Sequence, residues 1–117
     1  MDTTRLQLQT QKLLVACNEA RDRFYTMRKE NRSPDFYNEV KPYADNMQQL
    51  LQQWRQEAYQ FIKIVQPKYM HDVQIDNALD AMEKFFIQSF YKETSKKLFL
   101  QSIQSVEYTL TTLLRKL

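Results

Sequence analysis

The stretch Phe90-Tyr91-Lys92-Glu93-Thr94-Ser95-Lys96-Lys97-Leu98-Phe99 decides how many helices this chain forms. Apolar residues recur at steps of three and four before it and again after it, but the second stripe is two residues out of phase with the first. Continuing the first phase would bury Glu93 and Lys97. We therefore predict a helix break near Thr94-Ser95, with either residue able to cap the new helix.

The stripes on either side of this break define a third and a fourth amphipathic helix. The third carries Ile75, Leu79, Met82, Phe86 and Phe90. The fourth carries Phe99, Ile103, Val106, Leu110, Leu113 and Leu117. Because glycine and proline are absent from His71 to Leu117, only the phase of the stripes separates the two helices.

Two further helices with the same period precede them. The first runs from about residue 3 to residue 30 and carries Leu6, Thr10, Leu13, Cys17, Ala20, Phe24 and Met27, among which Thr10 is the only polar member. The second carries Tyr43, Met47, Leu50, Trp54, Ala58, Phe61 and Val65, with Leu51 and Ile62 widening the stripe. Both patterns predict one apolar face directed at a common core.

The residues between helices indicate where each helix ends. Asn31 can adopt the left-handed conformation that ends a helix, and Ser33-Pro34 is a helix-start pair. Residues 34–40 are predicted to form a short helical turn whose Phe36, Tyr37 and Val40 cover the core. Pro42 fits the first turn of the second helix, and Pro67 ends that helix because the residue before a proline is displaced from helical geometry.

Four amphipathic helices with short connections predict an all-α fold, a single domain over residues 1–117 that forms an antiparallel up-down-up-down four-helix bundle. The complete absence of glycine agrees with a helical chain. In this topology the turns after the first and third helices share one end of the bundle. The connection Pro67-Lys68-Tyr69-Met70-His71 lies at the other end, with both termini.

Composition excludes several classes of function. The net charge is only +3, from 17 basic and 14 acidic residues interspersed along the chain, so binding to nucleic acid is not expected. The amino terminus lacks the long apolar run of a signal peptide or membrane span. With Cys17 as the single cysteine, no intramolecular disulfide can form. We expect a cytoplasmic protein with no membrane association.

The only histidine, His71, has a structural interpretation in this setting. As the N-cap of the third helix it would place Gln74 where its side chain reaches back to the cap's backbone amide, and Met70 and Ile75 where a hydrophobic staple forms. This capping role does not explain the neighbouring residues Lys68 and Tyr69.

The run PKYMHDVQI, together with Asp35-Phe36, Lys41-Pro42, Trp54 and Tyr108-Thr109-Leu110, resembles the YppE-like family of small proteins from low-GC Gram-positive bacteria. The resemblance covers most of the chain. It implies a single four-helix domain and transfers no catalytic residue, because the family has no established biochemical function.

No catalytic constellation or cofactor site is predicted. Zinc needs three or four ligands, and His71 has no second histidine as a partner. The set Glu19, Glu57, Glu83 and Glu107 supplies one carboxylate per helix but lacks the Glu-x-x-His motif of di-iron bundles. Cys17 lies in the core stripe, where cysteine behaves as a small apolar residue.

Two surfaces stay as candidate interaction sites. One is Lys68, Tyr69 and His71 at one end of the bundle; the other, the basic end, gathers Arg28, Lys29, Arg32, Lys92, Lys96 and Lys97 at the opposite end. A solvated cluster that neutralises helix carboxyl ends is the simpler interpretation of the basic end. The favoured function is a non-enzymatic interaction module that binds an unknown protein partner or forms a homodimer. The alternative is a small-ligand or anion site, enzymatic or not, at the His71 end or at Lys96 and Lys97.

Overall fold

The computed structural model describes residues 1–117 as four α-helices and one π-helical turn. The helices are α1 (Thr4–Lys29), α2 (Lys41–Val65), α3 (Asp72–Gln88) and α4 (Lys96–Lys116). The π turn, Phe36–Val40, runs directly into α2. The predicted all-α bundle is confirmed, with overall dimensions of 47 × 27 × 19 Å.

The break between α3 and α4 falls where the phase slip predicts it, and both predicted residues take part. Ser95 is the N-cap of α4, and its hydroxyl accepts a hydrogen bond from the Leu98 N–H at 3.4 Å. The Thr94 hydroxyl donates to the Gln88 carbonyl oxygen at 2.9 Å, which ties the loop back to the end of α3. Without glycine or proline, the chain turns here because two short hydroxyl side chains hydrogen-bond the orphan backbone groups.

Contacts between helices join residues near the start of one helix to residues near the end of another. They pair Arg5 with Glu57 across α1 and α2, Tyr59 with Asp76 across α2 and α3, and Phe24 with Phe99 across α1 and α4. These are the pairs that the predicted up-down-up-down order brings together.

Most residues of the predicted stripes form the core, but Tyr43, Met47, Leu50 and Leu117 are only half-buried. Every predicted residue of α1 from Leu6 to Met27 is buried, as are all those of the stripe ending at Phe90. In the second helix the buried residues are Leu51, Trp54, Ala58 and Phe61. Val65 is exposed, so its prediction as a core residue is wrong: it occupies the last position of α2, beyond the packed part of the bundle. Phe85 is fully buried and was not among the predicted core residues.

The segment before α2 differs from its prediction. Asp35, rather than Ser33, caps the π turn, accepting from the Asn38 N–H at 3.2 Å. Val40 is buried as predicted, but Phe36 and Tyr37 are exposed, and their rings pack edge to face at 5.3 Å. The π turn continues directly into α2, and Val40, at their junction, is the one residue of the turn that is buried against the core.

Three residues take positive φ angles that glycine usually fills: Asn31 at 50°, Gln66 at 51° and Tyr69 at 64°. Gln66 is the C-cap of α2, and its N–H donates to the Ile62 carbonyl oxygen at 3.0 Å. For a residue with a Cβ, the left-handed conformation costs roughly 1–2 kcal/mol. Asn31 fits the predicted helix end.

Replacing Gln66 with glycine is expected to raise the free energy of unfolding by about 0.5–1 kcal/mol, because glycine adopts this conformation without the Cβ clash but loses more entropy on folding. Urea denaturation followed by circular dichroism measures the change. Gln56→Gly, in the middle of α2, is the control and should destabilise by about 1 kcal/mol. Equal effects of the two glycines would show that the backbone at residue 66 is not strained.

Candidate functional site

The His71 end is held together by a capping arrangement in which Gln74 does most of the hydrogen bonding. His71 is the N-cap of α3, as predicted. The Gln74 side chain accepts from the His71 N–H at 2.6 Å and donates to the Tyr69 carbonyl oxygen at 2.9 Å. The predicted capping box is present, with the Gln74 N–H facing the His71 side chain, but this N–H donates its hydrogen bond to the His71 carbonyl oxygen at 3.0 Å and not to the imidazole. Met70 and Ile75 are both buried, in the positions predicted for the staple.

Gln74→Ala is therefore expected to lower the free energy of unfolding by about 0.5–2 kcal/mol, the range for losing a cap. His71→Ala should change it by less than about 0.5 kcal/mol, because the exposed imidazole contributes little. His71→Ser should raise it, since a hydroxyl can accept from the Gln74 N–H. Chemical denaturation of the three variants checks this order. A larger loss for His71→Ala than for Gln74→Ala would contradict the assignment.

Lys68 and Tyr69 lie exposed beside this cap. Tyr69 is 79% exposed, and its φ of 64° lies in the left-handed region. The structure places Lys68, Tyr69 and His71 within one exposed turn. Their role as an interaction site stays a prediction.

At the basic end, most of the charges are engaged within the chain. Arg28 donates to the Thr94 carbonyl oxygen and lies 4.5 Å from the Phe24 ring centroid. The Lys92 ammonium donates to the Asn31 side-chain oxygen at 2.8 Å. These bonds tie the turn after α1 to the turn after α3.

The remaining basic residues divide between contacts and solvent. Arg32 pairs with Glu39 at 2.5 Å, and the Lys96 ammonium lies 5.5 Å from the Tyr25 ring centroid. Lys29 and Lys97 are exposed. Arg28 and Lys92 thus join two turns, whereas Lys29 and Lys97 have the solvated setting of the simpler interpretation of the basic end.

The helix glutamates and the Cys17 thiol do not form a common site. Glu57 pairs with Arg5 at 3.4 Å and Glu107 with Arg21 at 2.5 Å, so two of the four helix glutamates are bound to arginines on α1. No group of three or more His, Cys, Asp or Glu side chains is placed to hold a metal ion. Burial, reinforced by Glu107, raises the pKa of the Cys17 thiol to about 12, so it stays protonated at neutral pH.

The largest cleft lies elsewhere, along the seam between α1 and the first half of α2. It has a volume of about 420 Å³ and is lined by Leu8, Gln11, Lys12, Val15, Ala16, Glu19, Tyr43, Met47 and Leu50. We call it the α1–α2 groove. Leu8 and Val15 stand at its rim, 54% and 55% exposed. Tyr43, Met47 and Leu50 form its other wall and are only half-buried, although they continue the core stripe of α2.

Near Tyr43, two buried polar atoms lack hydrogen-bond partners. The Tyr43 hydroxyl and the Arg23 Nη2 are both unpaired within the chain. The Arg23 guanidinium lies over two adjacent rings, 4.5 Å from the Tyr43 centroid and 4.3 Å from the Phe90 centroid, while its Nε donates to the Ser89 hydroxyl at 2.8 Å. Burial raises the pKa of Tyr43, and the nearby Arg23 charge opposes that rise.

The sequence contains a pattern that indicates one wall of this groove, although the stronger core stripe of α1 draws attention away from it. Leu8 and Val15 are seven residues apart, two helical turns, on a face of α1 that the core stripe does not use. The other wall had no such signal, because Tyr43, Met47 and Leu50 read as ordinary core residues.

Four amphipathic helices, an aromatic core and two ends closed by caps define a small all-helical bundle protein. No helix has both the length and the apolar character required to cross a bilayer. Residues 10–117 match the model of the family described as a bacterial domain of unknown function, DUF1798, and the chain belongs to that family.

Relatives agree with this assignment. The uncharacterized protein YppE of Bacillus subtilis is 31% identical over 101 residues, which span 86% of this chain and 82% of YppE. The crystal structure of YppE is similar with a TM-score of 0.93 at 29% identity, covering 98% of this chain and 94% of that one. A Listeria innocua protein of unknown function has a TM-score of 0.89 at 25% identity, covering 94% and 88% of the two chains. The YppE-like resemblance is confirmed.

Proposed function

We propose that this protein is a non-enzymatic protein-interaction module whose contact surface is the α1–α2 groove. One observation carries the proposal: an open apolar groove of about 420 Å³ with two aliphatic side chains more than half exposed at its rim. Exposed apolar surface gathered in one concave place marks interaction sites far more often than the same residues scattered singly.

The shape and chemistry of the groove suit an amphipathic helix. Leu8 and Val15 lie about 10 Å apart along α1, at the rise of 1.5 Å per residue, which matches the i, i+7 anchors of helix-in-groove recognition. Lys12 and Glu19 flank the apolar lining with one charge of each sign. The fitting partner is a helix with apolar residues seven apart and flanking charges opposite to these.

A second candidate, small-ligand binding, is favoured by one observation in the same place. The groove volume lies within the range of ligand pockets, and the groove is lined by Tyr43, whose buried hydroxyl has no hydrogen-bond partner within the chain. Neither the His71 end nor Lys96 and Lys97 lines this groove, so the ends offer no comparable support for a ligand site.

The proposal is tested by site-specific photocrosslinking in bacterial cells. A benzophenone amino acid at Leu8 or Val15 should crosslink to the same protein from both positions, and the adduct should disappear in a Leu50→Glu background, which places a charge in the groove. Tyr108, 74% exposed on α4, is the control position and should give no such adduct. The same adducts from all three positions, or none from the groove positions, would refute an interaction through this groove.

A further inference from the structure

The occupant of the α1–α2 groove can be argued from the charges on α1 itself. Lys12 and Glu19 are seven residues apart on the face that borders the groove, with Val15 and Ala16 between them. Both side chains are exposed, and neither forms an ion pair within the chain. Their positions are symmetric about the midpoint between Val15 and Ala16.

We infer that a second copy of this chain occupies the groove, an inference that rests on the proposed function. In this dimer the two α1 helices are antiparallel about a two-fold axis between Val15 and Ala16. A two-fold contact is self-complementary, because each residue pair occurs twice. This axis places Lys12 of each copy against Glu19 of the other, so two ion pairs form from charges that have no partner in the single chain.

The same register also places the exposed aliphatic side chains on apolar surface. Because α1 and α2 run in opposite directions, Tyr43 lies level with Arg23, which it contacts, and Met47 and Leu50 follow toward the amino-terminal half of α1. Antiparallel α1 helices bring Val15 of one copy level with Ala16 and Leu50 in the other's groove. Leu8 then reaches the Tyr43 end of the groove. One register therefore satisfies the charged and the apolar residues together.

Charge reversal provides the test, measured by sedimentation equilibrium at low ionic strength from about 1 µM to about 1 mM. The wild-type chain is expected to associate to a dimer. Lys12→Glu and Glu19→Lys should each weaken self-association at least about tenfold, since each places like charges together twice. An equimolar mixture of the two variants should dimerise again, because one face is then wholly acidic and the other wholly basic. Circular dichroism verifies that both variants fold.

The outcomes separate this inference from the proposed function. A wild-type chain that stays monomeric, single variants that associate like the wild type, or a mixture that fails to dimerise would each overturn the two-fold contact. If crosslinking from Leu8 and Val15 then identifies a different protein, the proposed function stands and only the self-association falls. If neither experiment gives a partner at the groove, both proposals fall.

Discussion

Replacing Trp54 with alanine is expected to lower the free energy of unfolding by about 3–5 kcal/mol, the usual range for truncating a buried aromatic residue. Trp54 is fully buried, and its indole N–H donates to the Thr10 hydroxyl at 3.1 Å. Against a total stability of about 5–15 kcal/mol for a domain of this kind, the loss would remove a large fraction of the free energy of unfolding. Urea titration followed by far-ultraviolet circular dichroism measures it.

The hydrogen bond between Trp54 and Thr10 can be separated from the packing by a double-mutant cycle. Thr10→Val keeps the shape but leaves the buried indole N–H without an acceptor, which should cost about 1–3 kcal/mol. Trp54→Phe removes that donor, so Thr10→Val should cost much less in the Trp54→Phe background. A coupling of about 0.5–3 kcal/mol is expected. Additive effects would show that the bond contributes nothing to stability.

Replacing Phe99 with alanine is expected to lower the free energy of unfolding by about 3–5 kcal/mol, as for Trp54→Ala. Phe99 is 1% exposed and stacks on Phe24 with ring centroids 4.3 Å apart, while Phe85 meets it edge-on at 6.3 Å. It is the first core residue of α4 and joins that helix to α1 and α3. Its loss removes contacts to both.

Leu98→Ala is the matched control for Phe99→Ala. Leu98 is the neighbouring residue and is 63% exposed, so its truncation should change stability by no more than about 0.5 kcal/mol. Thermal denaturation of the two variants compares them directly. If Leu98→Ala were the more damaging change, the phase of the stripe in α4, and with it the separation of α3 from α4, would be wrong.

The elements of the fold that could be predicted are those specified by local chemistry. The phase slip after Phe90 located the break, because an apolar stripe has to face the same core on both sides of a turn. The cap at His71 followed from residue type and spacing, which also narrowed the cap of α4 to Thr94 or Ser95. Burial of Phe85 was missed because a helix packed between two neighbours buries a wider face than one stripe, and one sequence does not show how many neighbours a helix has.

The candidate site was less predictable for the same reason. Half-burial of Tyr43, Met47 and Leu50 depends on how far α1 and α2 separate along their seam, which no local pattern encodes. The exposure of Phe36 and Tyr37 depends on the π turn that begins at Asp35. The sequence predicted that the basic residues lie at one end of the bundle. Only the structure shows that Arg28 and Lys92 join the two turns at that end.

The five methionines provide the most direct measurement of whether a second copy of the chain docks in the α1–α2 groove. Met47 lines the groove, whereas Met27, Met70 and Met82 are buried in the core. In ¹H–¹³C spectra of methyl-labelled methionine recorded over a dilution series, we expect the Met47 methyl signal to shift with protein concentration while the three core signals stay fixed. A Met47 signal that is constant across the series, with Lys12→Glu giving the same spectrum as the wild type, would contradict docking of a second copy in this groove.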